Sequence, residues 1–183
     1  MSNHNHSERY SKSIVIMHWV MLLLMASVYA FIELKVLFVK GTPPRELMKA
    51  IHFTLGLTVF LFVLVRIYFR LSSTTPAIQP ALSPLAQYAS KTMHLVLYGL
   101  MIAMPIAGWL TLSAAGKTVP FYGLELPPLI AKNKELADII KELHETAGKA
   151  GYFLIAGHAL VGLYHHYIRR DNVLTRMLLS KSN

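Results

Sequence analysis

The chain has 183 residues, 54% of them hydrophobic and only 15% charged, with no cysteine and a formal net charge of +9. A soluble domain of this length carries about 25% charged residues, so the composition points to a lipid environment. The absence of cysteine excludes disulfides, thiolate metal sites and covalent C-x-x-C-H cofactor attachment. Nucleic-acid binding needs a basic face studded with stacking aromatics; here the lysines and arginines fall between apolar runs, so no nucleic-acid partner is expected.

In chain order, residues 1–12, "MSNHNHSERYSK", form a polar head read as a disordered tail, with His4 and His6 solvated. The first apolar run is too long for a signal-peptide h-region and lacks a small-residue cleavage site, so it reads as a retained span. Four apolar segments follow, Ile14–Ile32, Leu47–Phe69, Met93–Ala114 and Gly148–Ile168, each near the roughly 20 residues a spanning helix needs. The fourth is led by the charged stretch "KNKELADIIKELHETAGK", whose Leu136, Ile139, Ile140 and Leu143 keep helical spacing. The last helix therefore starts outside the hydrocarbon and enters it near His144. "KGTPPR", "STTPAIQPALSP" and the segment from Ala115 to about Asn133 read as loops rather than a second domain. The division is thus a tail (1–12), an all-α four-helix membrane domain (13–177) and a short C-terminal tail (178–183).

Orientation follows from basic residues beside the spans. Arg9, Lys12, Arg66, Arg70, Lys91, Arg169, Arg170, Arg176 and Lys181 share one side with only Glu8 and Asp171. On the other side Lys35, Lys40, Arg45, Lys49, Lys117, Lys132, Lys134 and Lys141 are interleaved with carboxylates. Net excess puts the first side, and both termini, in the cytoplasm.

Ionisable residues inside spans are rare and usually functional. His18 and His94 lie near the cytoplasmic ends of the first and third segments, and His52 near the outer end of the second. His144 and His158, on the fourth, are separated by about 21 Å of helix and lie within ~40° of the same face. Imidazoles meeting at a fixed depth, with no carboxylate among them, suit axial ligation of a flat metal macrocycle rather than a carboxylate proton relay. His52 pairs with His144 at the outer level. At the inner level His158 pairs with His18 or His94, and spacing alone does not choose. The scheme holds two b-type haems between the helices. Gly56, Gly148 and Gly151 trim the helix surface beside the ligands, although small residues also serve bare helix packing. Arg66 and Arg70 suit haem propionates or, equally, helix anchoring by snorkelling.

The motifs "HW" in the first helix, "IHFTLG" and "RIYFR" in the second, "MHLVLYGLMIAMPIAG" in the third, "LHETAGKAGYFLIAGHALVGLYHH" in the fourth and the tail "RRDNVLTRM" resemble the bacterial cytochrome b561 family of inner-membrane di-haem proteins. The likeness runs from about Ser7 to Met177. It implies His18, His52, His144 and His158 as haem-iron ligands, so preferring His18 over His94, and electron exchange with the quinone pool. The branch with this fourth helix is similar to superoxide oxidase, which implies superoxide as electron donor and ubiquinone as acceptor. A quinone-linked cytochrome subunit of a dehydrogenase or hydrogenase is the alternative, and a homodimer is among the assemblies open to the chain. The outer basic residues, Lys134 and Lys141 among them, suit a mouth that attracts a small anion. His165, seven residues beyond His158 and about 10 Å further along the same face, is the first candidate for contacting the quinone or delivering protons, against a bland interfacial role.

Overall fold

The structure is a computed structural model and describes residues 9–179; His4, His6 and residues 180–183 lie outside them. Four long helices form, α1 (Lys12–Leu34), α2 (Pro43–Leu71), α3 (Pro84–Ala114) and α4 (Lys134–Tyr164). Their boundaries follow local chemistry. Thr42 precedes two prolines that open α2, where a missing N–H costs nothing. Ser83 accepts from the Ala86 N–H at 3.3 Å and Pro84 follows it. Consequently α3 begins nine residues before the apolar run at Met93, and the last proline of the expected loop is its first residue. Asn133 caps α4 by accepting from Leu136 N–H at 3.0 Å.

Consecutive helices joined by short connections run antiparallel. One end of the bundle therefore holds the α1–α2 and α3–α4 connections, and the other holds both termini and the α2–α3 connection. The first connection of the α3–α4 segment is a hairpin, β1 (Val119–Phe121) against β2 (Leu124–Leu126), with Val119 opposite Leu126. Its turn residues Tyr122 and Gly123 have φ of 48° and 84°, the positive values a two-residue type I′ turn demands. The sequence reading had only a loop there. We refer to this as the hairpin end and to the opposite one as the terminal end.

α1, α2 and α3 are long and apolar enough to cross a bilayer. α4 falls short of that measure because Lys134, Glu135, Asp138, Lys141, Glu142 and Glu145 occupy its first half. As expected from the sequence, it starts in this charged stretch, and beyond Lys149 it carries no Asp, Glu, Lys or Arg. Large apolar side chains such as Leu23, Leu95 and Phe153 face outward, the pattern of an all-α membrane bundle whose exterior is lipid.

Two apolar clusters hold the helices together. Met21, Val59 and Val63 join α1, α2 and, through Tyr98 and Met101, α3. Leu57, Leu112 and Val119 clamp the hairpin onto α2 and α3. Thr54 donates to the Pro120 carbonyl, and Thr58 meets the Tyr122 hydroxyl at 3.0 Å. α1 packs on α2, α2 on α3 and α3 on α4, whereas the backbone of α4 keeps further from α1 and α2, touching α1 through Tyr29, Glu33 and Tyr152 at the hairpin end. That gap is where the histidines meet.

Candidate functional site

Side chains from separate helices bridge the gap at two levels. At the hairpin end the His52 and His144 rings have centroids 6.3 Å apart and planes 80° apart. At the terminal end His18 and His158 are 6.2 Å and 72° apart. Two metal–nitrogen bonds of about 2 Å, plus about 1.15 Å from each ligating nitrogen to its ring centroid, sum to about 6.3 Å. Both pairs match that separation. His94 also lies beside His158, but at 5.4 Å between centroids, too close for an in-line metal between them. Its Nδ1 is 2.6 Å from the Ser90 carbonyl of its own helix.

The surroundings suit a macrocycle. His52 Nδ1 lies 2.9 Å from the Val28 carbonyl; donating there leaves the Nε2 lone pair for a metal and fixes the ring. His144 Nδ1 is buried beside the Met104 carbonyl without completing a hydrogen bond. Nothing lies within 4 Å of where a Cβ on Gly56 would sit, so one turn beyond His52 the helix surface is open. Gly148 and Gly151 are engaged differently. The Tyr29 hydroxyl donates to the Gly148 carbonyl at 3.0 Å and fills the space a Gly151 side chain would need. These two glycines let α1 reach α4.

Arg66 and Arg70 separate in the structure. Arg66 Nη2 is 3.2 Å from His18 Nδ1, while its Nη1 is buried with no hydrogen-bond partner. A half-buried guanidinium with no carboxylate in reach among the described residues is costly, and a propionate beside His18 would answer it. Arg70 instead donates to Thr75 Oγ1 at 2.5 Å and lies over the Tyr10 ring, away from the histidines. Lys134 and Lys141 sit on the exposed face of α4, each paired one turn on, with Asp138 at 3.0 Å and Glu145 at 3.4 Å. His165 is not beside the His18–His158 pair either; it is buried against Asp171.

Sequence reading missed three contributors. Gly108 of α3 packs on the other side of His144, where its Cβ would lie 3.5 Å from Cε1; its signal was a glycine ending "MPIAG". The Val28 carbonyl carries no side-chain signal at all. Asp171 had been counted only as a surface charge. At the hairpin end a cleft of about 470 Å³ opens beside Phe53, with Lys49, its ion-pair partner Glu46 and Lys117 on its walls.

Gly108→Ala should retain full haem, since 3.5 Å is ordinary contact, whereas Gly108→Leu should displace His144 and cost about half the haem per chain. Pyridine haemochrome quantification reads both.

Imidazoles paired between the helices of a membrane bundle, at the centroid separation an iron would need, are the arrangement expected of a membrane cytochrome. The chain belongs to the prokaryotic cytochrome b561 family, whose model matches residues 9–180; the family is haem-binding and transfers electrons in membranes. It is 36% identical over 170 residues to "Cytochrome b561 homolog 1" of Escherichia coli (strain K12), covering 93% of this chain and 97% of the relative. Identity is also 36% over 177 residues to "Probable superoxide oxidase CybB" of Yersinia pestis, with 95% and 98% covered. "Cytochrome b561 homolog 2" of Escherichia coli (strain K12) is 28% identical over 184 residues, covering 100% of this chain and 98% of the relative.

Proposed function

We propose that this protein is a di-haem superoxide:ubiquinone oxidoreductase of the bacterial inner membrane, with both termini cytoplasmic and the hairpin end outside. The observation that carries the reading is the pair of imidazole bridges, 6.3 Å and 6.2 Å wide, at two levels of α4. The relative named a probable superoxide oxidase supports the choice of donor.

Haem supplies the reversible one-electron chemistry that no side chain here offers. The chain's own residues supply ligation, charge and access. His52 and His144 would hold the outer haem, and His18 and His158 the inner one. Gly56 leaves space for the macrocycle, and Arg66 would neutralise a propionate. Arg70 braces the α2–α3 connection. Gly148 and Gly151 keep α4 at the spacing both pairs require, through their contact with Tyr29. Superoxide, a small anion, is drawn to the outer basic collar. Lys134 and Lys141 belong to that collar with their charge offset by Asp138 and Glu145. Lys117 and Lys49 line the cleft next to Phe53, the neighbour of His52, with Lys49 offset by Glu46 of the same wall at 2.6 Å. At the inner end His165 would meet the ubiquinone headgroup.

Stopped-flow reduction of the haem by superoxide tests the donor. Reversing Lys117 to Glu should slow that step several-fold at low salt and much less at high salt, because screening shortens the reach of surface charge. Reversing Lys134 and Lys141 should act in the same direction with a smaller effect. Haem reduction by superoxide with no salt dependence in wild type or variants would contradict the steering role, and no haem reduction at all would contradict superoxide as donor.

A further inference from the structure

Beyond the last turn of α4 the helix widens into a π-turn, His165–Arg169, a distortion that often marks a functional position. It ends at Arg170, whose φ of 54° turns the chain back on itself. The reversal brings the Asp171 N–H to the His165 carbonyl at 3.2 Å and the Asp171 carboxylate under the His165 ring. His165 Nδ1 and Asp171 Oδ2 are 2.5 Å apart, and the Asp171 side chain has no solvent exposure. The other carboxylate oxygen accepts from the Val173 N–H at 3.0 Å, and Arg169 Nε stands 3.8 Å from Oδ2. The tail beyond is pinned: Asn172 exchanges hydrogen bonds with Gln79, and Trp19, next to His18, donates to the Met177 carbonyl. The dyad is therefore held from both sides. Among the described residues no group hydrogen-bonds His165 Nε2.

We infer that Asp171 is a positioning residue for proton transfer to the quinone: by holding the Nδ1–H of His165 it leaves Nε2 as the one nitrogen that exchanges a proton with the headgroup. This rests on the proposed reduction of ubiquinone at the terminal end. A carboxylate on one imidazole nitrogen fixes both tautomer and ring orientation and stabilises the imidazolium. The balance is two superoxide anions, one quinone and two protons giving two dioxygen molecules and one quinol. In each protonation the Nε2–H bond of the imidazolium breaks and an O–H bond forms at a quinone oxygen. His165 is left neutral with its proton on Nδ1, toward Asp171, and Nε2 is reprotonated from the aqueous phase.

The test uses the full haem-loaded chain in lipid nanodiscs with a short-chain ubiquinone analogue. Asp171→Asn keeps the shape and the acceptor for Val173 but removes the charge. It should slow oxidation of the pre-reduced haem by the quinone ~10- to 100-fold and raise the solvent isotope effect, while leaving haem content and haem reduction by superoxide unchanged. Asp171→Glu should recover part of the rate. In wild type, ring ¹⁵N shifts of neutral His165 should show the proton on Nδ1. Should Asp171→Asn match wild type while His165→Gln slows quinone reduction, the positioning role is refuted and the quinone contact stands. If His165→Gln has no effect, the quinone contact itself fails. A neutral His165 carrying its proton on Nε2 overturns the inference without any variant, even where Asp171→Asn fails to fold.

Discussion

His144→Ala or His52→Ala is expected to leave a folded protein with about half the Soret absorbance of wild type, because each removes a ligand from one of the two proposed bis-imidazole sites. The two rings come from different helices across the gap between α4 and α2, and among the described residues no other histidine packs against either ring. His18→Ala should have the same effect at the other level unless His94 swings in. Its centroid already lies 5.4 Å from that of His158, so the double variant His18→Ala/His94→Ala separates loss from rescue. Absorbance and haemochrome content of the purified variants read the outcome; full retention in His144→Ala would refute the hairpin-end pairing.

Arg66→Gln is expected to lower the midpoint potential of one haem and not the other. A positive charge favours the more reduced iron. At about 7 Å and an effective dielectric of about 20 it contributes about 2 kcal/mol, or roughly 50–100 mV for one electron. Arg66 earns this role by position: one guanidinium nitrogen faces His18 and the other is buried without a partner. Arg70, one turn on, is tied to Thr75 and Tyr10, so Arg70→Gln should leave both potentials in place. A redox titration resolving two components distinguishes these outcomes. Equal shifts of both haems, or of neither, would contradict a local partnership between Arg66 and the inner site.

Which parts of this were legible in the sequence follows from what sets them. Helix count, the antiparallel order and the levels of the histidines are fixed by rise per residue and by hydropathy, so they could be read from spacing. The early start of α3 was written in "SP", a cap followed by proline, but hidden within a proline-rich segment that reads as loop. The hairpin was obscured because Tyr122 occupies a turn position where asparagine or glycine is the usual signal. Side-chain partnerships were least legible. Arg66 and Arg70 share a helix face, and only their tertiary partners separate their roles, His18 and Tyr98 for the first, Thr75 and Tyr10 for the second. Gly151 has the spacing of a residue beside a macrocycle, yet it is the Tyr29 hydroxyl from α1 that occupies its surface. Asp171 lies in a run of charged residues, and nothing local announces that the π-turn and Arg170 fold it inward to complete exclusion from solvent.

The most direct measurement of the central claim is the ratio of haem to polypeptide in the purified wild-type protein, by pyridine haemochrome against quantitative amino-acid analysis. The proposed function, with an iron between each of the two imidazole pairs, predicts two non-covalent b haems per chain. A ratio of one would leave one pair without its metal, and a ratio of zero after expression with ample haem would dissolve the electron path altogether.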